Sequence, residues 1–193
     1  YINASAEDIW SKRGTENAQR THILSAIASG FANCHKEILT CLGSTFFAHQ
    51  QESWNFEELL EGCLIFLKNE GMLEQDNEII RATELGKMIS SLYIDPLSAS
   101  KIIRGLEKTT HVTDMTLLQL ICSTPDMRLL YLRNRDYEII NDYVMNHTDD
   151  FIEVPSPFKQ IEYEWFLSEV KTALLLQEWI NEKSLEKIVE NYQ

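Results

Sequence analysis

The chain has 193 residues, 44% of them hydrophobic, which suffices for one large domain or two small ones with a real core and excludes an intrinsically disordered segment. Seventeen Lys and Arg against thirty Asp and Glu leave a formal net charge of −13, so a free-standing module that holds nucleic acid by bulk charge is excluded and any nucleic-acid role is local. No apolar run reaches the roughly 18 residues of a bilayer span, and Tyr1-Ile2-Asn3-Ala4 lacks the basic and apolar regions of a signal peptide, so a cytoplasmic chain with no membrane partner is expected. It starts without Met and stops on an amphipathic stretch, Glu182 to Gln193, as a segment of a longer protein does.

Ile23, Leu24, Ile27 and Phe31 recur at helical spacing and predict a helix over 20–31; Ile38, Leu42 and Phe46 predict a second over 35–48. A third starts at Asn55, whose side chain is placed to cap the first turn with Glu58 closing a capping box; it buries Leu60, Cys63, Leu64 and Leu67 and ends at Gly71. The period then changes. Met72 to Gln75 and Ile79 to Ala82 are short strand-like runs around the turn-prone pair Asp76-Asn77, which predicts a small hairpin, and helix returns over Glu84 to Tyr93. Three helices followed by a two-stranded ribbon is the order of a winged-helix domain, with the ribbon as its wing and the third helix as the usual recognition element.

Asp95-Pro96 supplies a capping residue and a first-turn proline for a helix running towards Glu107, and Thr113 caps another that carries Leu117, Leu118 and Ile121. Pro125, Pro155 and Pro157 punctuate the remainder, with a helix over Tyr137 to Met145 and a long one from about Glu162 to Asn181. The expected fold is mainly α: a winged-helix domain over 1–95, then a helical bundle over 96–193.

Little in the chain supports catalysis. Gly86-Lys87 is followed by Met88 and preceded five positions earlier by Arg81, so the phosphate-cradling Gly-x-x-x-x-Gly-Lys-Ser/Thr loop is missing, and no serine sits in a strand-turn-helix elbow. Cys34, Cys41, Cys63 and Cys122 lack a Cys-x-x-Cys pair and read as reduced thiols; with His22 and His35 they match no usual zinc spacing. His22, beside Ile23 and Leu24, reads as a structural histidine. No catalytic, cofactor-binding or metal residues are assigned.

Charge directs the search for a binding surface. Glu57, Glu58, Glu61 and Glu70 against Lys68 make the third helix acidic, and an acidic helix is repelled from a major groove, so it faces protein. Arg128, Arg133 and Arg135, with Tyr131 between them, could present guanidinium groups and a stacking ring to a single strand, although Asp126 and Asp136 offset part of that charge and an ion-paired surface is the competing reading. Lys12 and Arg13 form a second, weaker candidate. Trp165, Phe166, Val170, Leu174 and Trp179 fall mostly on one helical stripe and are expected in the core.

Several ordered motifs resemble one family: Ser11-Lys12-Arg13-Gly14-Thr15-Glu16, Arg20-Thr21-His22-Ile23-Leu24, Thr45-Phe46-Phe47, Thr83-Glu84-Leu85-Gly86-Lys87 and Ser91-Leu92-Tyr93-Ile94-Asp95-Pro96-Leu97. The match continues through Leu120-Ile121-Cys122-Ser123-Thr124-Pro125-Asp126-Met127 and from Glu162 to Leu174. Together they resemble archaeal superfamily-two DNA repair helicases of the Hjm type, relatives of the animal HELQ helicase and of the helicase part of DNA polymerase theta. The resemblance implies an ATP-dependent 3′-to-5′ helicase acting on forked or stalled replication DNA, with ATP and Mg held by two RecA-like motor domains outside this segment. It also implies that residues 96–193 begin a helical ratchet domain, positioned against the motor by the winged helix, while the helix carrying the family's strand-gripping Arg and Trp has no counterpart here. The segment is then an accessory region without ATPase activity, partnered by its own motor domains and by forked or single-stranded DNA. The alternative is a winged-helix module that scaffolds a repair or transcription complex through protein contacts.

Overall fold

A computed structural model of the chain describes residues 16–45, 48 and 56–192. Two compact units divide between Pro96 and Leu97. The first contains α1 (Glu16–Ala28), α2 (His35–Gly43), α3 (Phe56–Asn69), β1 (Leu73–Asp76), β2 (Ile79–Ala82) and α4 (Glu84–Leu92). This is the helix and ribbon order of a winged helix. Lys12, Arg13, Phe46 and the Asn55 cap lie outside the described residues.

Ile23, Leu24 and Ile27 of α1, Ile38 and Leu42 of α2, and Leu60, Cys63, Leu64 and Leu67 of α3 are all buried, with Met72, Ile80 and Ile89 closing the same core. Burial of each such side chain contributes about 1.5–3 kcal/mol. Phe31 departs from its predicted place and is 73% exposed. The helix ends at Ala28, Gly30 turns through a left-handed φ of 73°, and the Phe31 N–H closes back on the Ala26 carbonyl at 3.0 Å, so the chain has left the helical stripe before the ring is reached.

The wing is an antiparallel pair with Leu73 opposite Ala82 and Asp76 opposite Ile79. Asn77 takes the left-handed conformation, φ 53°, that a two-residue hairpin turn requires. The Ile80 N–H also donates to the Asn33 carbonyl at 2.7 Å, which ties the loop before α2 to the ribbon.

Behind the wing, Thr83 caps α4: its Oγ1 accepts from the Gly86 N–H at 3.1 Å and donates to the Gly71 carbonyl at 2.7 Å. Thr83→Ala is expected to cost about 1–2 kcal/mol, since it removes a cap together with a second bond across the turn; urea unfolding of the two proteins measures the difference. At the end of the unit the buried Arg20 guanidinium faces the buried Asp95 carboxylate at 3.4 Å and lies 5.4 Å from the Phe66 ring centroid.

The second unit contains α5 (Pro96–Lys108), α6 (Asp114–Cys122), α7 (Asn134–Asn146), a 3₁₀ turn (Thr148–Asp150), α8 (Gln160–Ile180) and α9 (Leu185–Tyr192). Its core joins Met115 and Cys122 of α6, Ile140 and Val144 of α7, and Tyr163, Phe166, Leu167, Val170 and Ala173 of α8. Phe151 packs edge-on against Phe166, and the Tyr163 hydroxyl donates to Asn141 at 2.7 Å.

The buried faces of two helices in this unit are set by packing, and on the second of them this corrects an expectation. On α6 the buried face is Met115, Thr116, Gln119, Leu120 and Cys122, while Leu117 and Ile121 are 40% and 42% exposed. Polar ties set that face: Thr116 donates to the Asp150 carbonyl at 2.7 Å and Gln119 to Glu169 at 2.8 Å, and an apolar stripe cannot reveal either. On α8, Trp165 and Trp179 are 61% and 68% exposed, because the helix turns Tyr163, Phe166, Leu167 and Val170 inward and leaves these two indoles on the other side.

Candidate nucleic-acid interface

Between α6 and α7 the chain runs without helix from Ser123 to Arg133, and it is pinned to α8 by two bonds. The Leu130 N–H donates to Thr172 Oγ1 at 3.0 Å, and Lys171 Nζ donates to the Tyr131 carbonyl at 2.8 Å. Lys171 is buried, and its ammonium also reaches Asp136 Oδ2 at 2.6 Å. Arg133 grips the same carboxylate as a fork, Nε to Oδ2 at 2.7 Å and Nη2 to Oδ1 at 2.8 Å, while its own N–H donates to Oδ2 at 3.0 Å. The Arg133 guanidinium, followed by Lys171, holds the Asp136 carboxyl far below the usual carboxylate range.

This arrangement separates the candidate residues. Arg133 is committed to Asp136, and through Nη2 also to the Asn191 carbonyl at 3.4 Å, so it serves the fold and has little left for a phosphate. Arg128 and Arg135 are exposed; Arg135 keeps only a loose 3.8 Å approach to Asp136. Tyr131 stands out from the pinned segment, 83% exposed.

The segment and the first half of α8 form the walls of an open groove of about 690 Å³ lined by Tyr131, Tyr137, Ile161, Glu164 and Trp165 among others. Sequence reasoning placed Trp165 in the core and did not single out Lys171. A lysine four residues after Leu167 and three before Leu174, inside the buried stripe of a long helix, is the signal that was available.

On the same helix, burial raises the Glu169 carboxyl, partly offset by its bond from Gln119. Burial, reinforced by Glu169, pushes the Cys122 thiol up to about 12 and leaves it unreactive. Among the described residues no group of three or more His, Cys, Asp or Glu is placed to hold a metal ion, and no helix is long and apolar enough to cross a membrane. On α3, Glu57, Glu58 and Glu61 are exposed, so the helix that reads DNA in many winged helices here presents a negative face.

The profile of the family described as archaeal helicase, domain 4, matches residues 115–193, most of the second unit. Over 97% of its length the chain is 45% identical to the ATP-dependent DNA helicase Hel308 of Methanocella arvoryzae. Over its whole length it is 30% identical to the Hel308 of Thermococcus kodakarensis and 32% to that of Methanocaldococcus jannaschii. The chain belongs to the archaeal Hel308-type helicases of superfamily two, the family its motifs resemble. It spans 26%, 17% and 15% of the length of these three relatives.

Proposed function

We propose that the chain is an accessory region of an ATP-dependent 3′-to-5′ DNA helicase that acts on forked or stalled replication DNA. In this reading the winged-helix unit packs against the RecA-like motor domains, which bind ATP and Mg, and sets the position of the helical ratchet unit. The chain hydrolyses no nucleotide itself, and its work is cytoplasmic. The observation that carries the reading is the 45% identity to a Hel308 helicase sustained over 97% of the chain, across both units. The acidic outer face of α3 agrees with it, since such a face suits protein contact and not a major groove.

A chimera tests this. Replacing the matching segment of the Methanocella helicase by residues 1–193 is expected to preserve both DNA-stimulated ATPase activity and unwinding of a 3′-tailed fork. A folded chimera that hydrolyses ATP yet fails to unwind, while the parent enzyme does, would sink the proposal and return the chain to the protein-scaffold alternative.

A further inference from the structure

We infer that the groove between the 129–133 segment and α8 is a stacking subsite for unpaired bases of a single-stranded nucleic acid, with Tyr131 and Trp165 as its two platforms. The inference deepens the proposed function, because it assigns a strand contact to the surface of the helical unit. Four observations carry it. Both rings are well exposed, Tyr131 at 83% and Trp165 at 61%, yet both line one groove of about 690 Å³. Neither ring stacks on another aromatic side chain among the described residues, so neither is taken up by an aromatic neighbour. Base stacking on an aromatic side chain tolerates any sequence, which suits a protein that tracks along a strand.

The third observation is rigidity. Lys171 and Thr172 hold the backbone on either side of the peptide that carries the Tyr131 ring, so the platform is set before a strand arrives. The fourth is charge. In a chain of net charge −13, Arg128 and Arg135 are exposed cations close in sequence to Tyr131, whereas the Arg133 side chain is held on the Asp136 carboxylate that it shares with Lys171. Glu164 lines the groove and accepts from Gln160 at 3.0 Å. Its carboxylate repels phosphate, which keeps the backbone of the strand away from the Glu164 wall of the groove.

The test is fluorescence anisotropy of the chain with labelled oligothymidylate and oligouridylate of about 15 nucleotides at roughly 50 and 200 mM salt. The wild-type chain is expected to bind with a salt-dependent affinity. Tyr131→Ala and Trp165→Ala each weaken it about tenfold, and Glu164→Gln strengthens it, with thermal unfolding unchanged because all three side chains are exposed. Binding of neither oligonucleotide at the lower salt, or unchanged affinity in the Tyr131→Ala/Trp165→Ala double variant, overturns the subsite. Loss of self-association by the double variant in sedimentation, without loss of oligonucleotide binding, hands the groove to a second copy of the chain. Because the chimera reads unwinding and this assay reads strand affinity, failure of the groove and failure of the helicase reading are separate results.

Discussion

Gly86→Ala is expected to destabilise the winged-helix unit by about 3 kcal/mol, seen as a lower urea midpoint with an unchanged slope. A Cβ at this position falls 2.1 Å from the Met72 carbonyl oxygen and 3.3 Å from the Leu24 side chain. The first contact is to backbone in the turn joining α3 to β1, and that carbonyl already accepts the Thr83 N–H at 3.1 Å, so neither partner can move aside without losing the α4 cap. Alanine favours a helix interior over glycine by about 1 kcal/mol, which offsets only part of the clash. Gly105 is the internal comparison. There a Cβ falls 2.6 Å from a Leu120 methyl, the far end of a flexible side chain, so Gly105→Ala is expected to cost clearly less.

Asp136→Asn is expected to destabilise the helical unit by about 3 kcal/mol at pH 7, because it leaves the buried Lys171 ammonium facing a neutral amide and halves the Arg133 fork. The pH dependence carries the signature. The folded-state pKa of Asp136 is depressed, so its contribution is fully present above the unfolded value of about 4 and is lost as pH falls from there through the folded value. The gap between wild type and Asp136→Asn should therefore close as pH is lowered below about 4. Glu169, whose pKa is raised, acts in the opposite direction over the higher carboxylate range, but it is common to both proteins and cancels in the difference. A gap that stays constant between pH 7 and pH 2.5, followed by urea unfolding, removes the ionic triad as the cause.

Only Asp136 links stability to the groove. Asp136 and Lys171 sit directly beneath the segment that presents Tyr131, so loosening them also loosens the groove wall. Gly86 lies in the other unit, and its replacement should leave oligonucleotide affinity unchanged wherever the chain remains folded.

What could be read from the residues alone was periodic or local. The 3.6-residue spacing of Leu60, Cys63, Leu64 and Leu67 identified the buried stripe of α3, the Asp76-Asn77 pair marked the hairpin, and Thr113 marked the start of α6. The arginine cluster around Tyr131 was visible for the same reason, since its members are neighbours in sequence. The tertiary structure decided the rest. The Arg133–Asp136 ion pair, three residues apart, was one of two readings the sequence allowed, but whether Lys171 lies in solvent or under the Tyr131 carbonyl depends on bringing residues 35 to 40 positions apart into contact. Trp165 shows the same limit from the apolar side: Tyr163, Phe166, Leu167 and Val170 already fill the inward face of α8. A helix has two faces but only one core to turn towards, and an aromatic side chain just off the buried stripe is assigned by its packing partners, not by its own hydrophobicity.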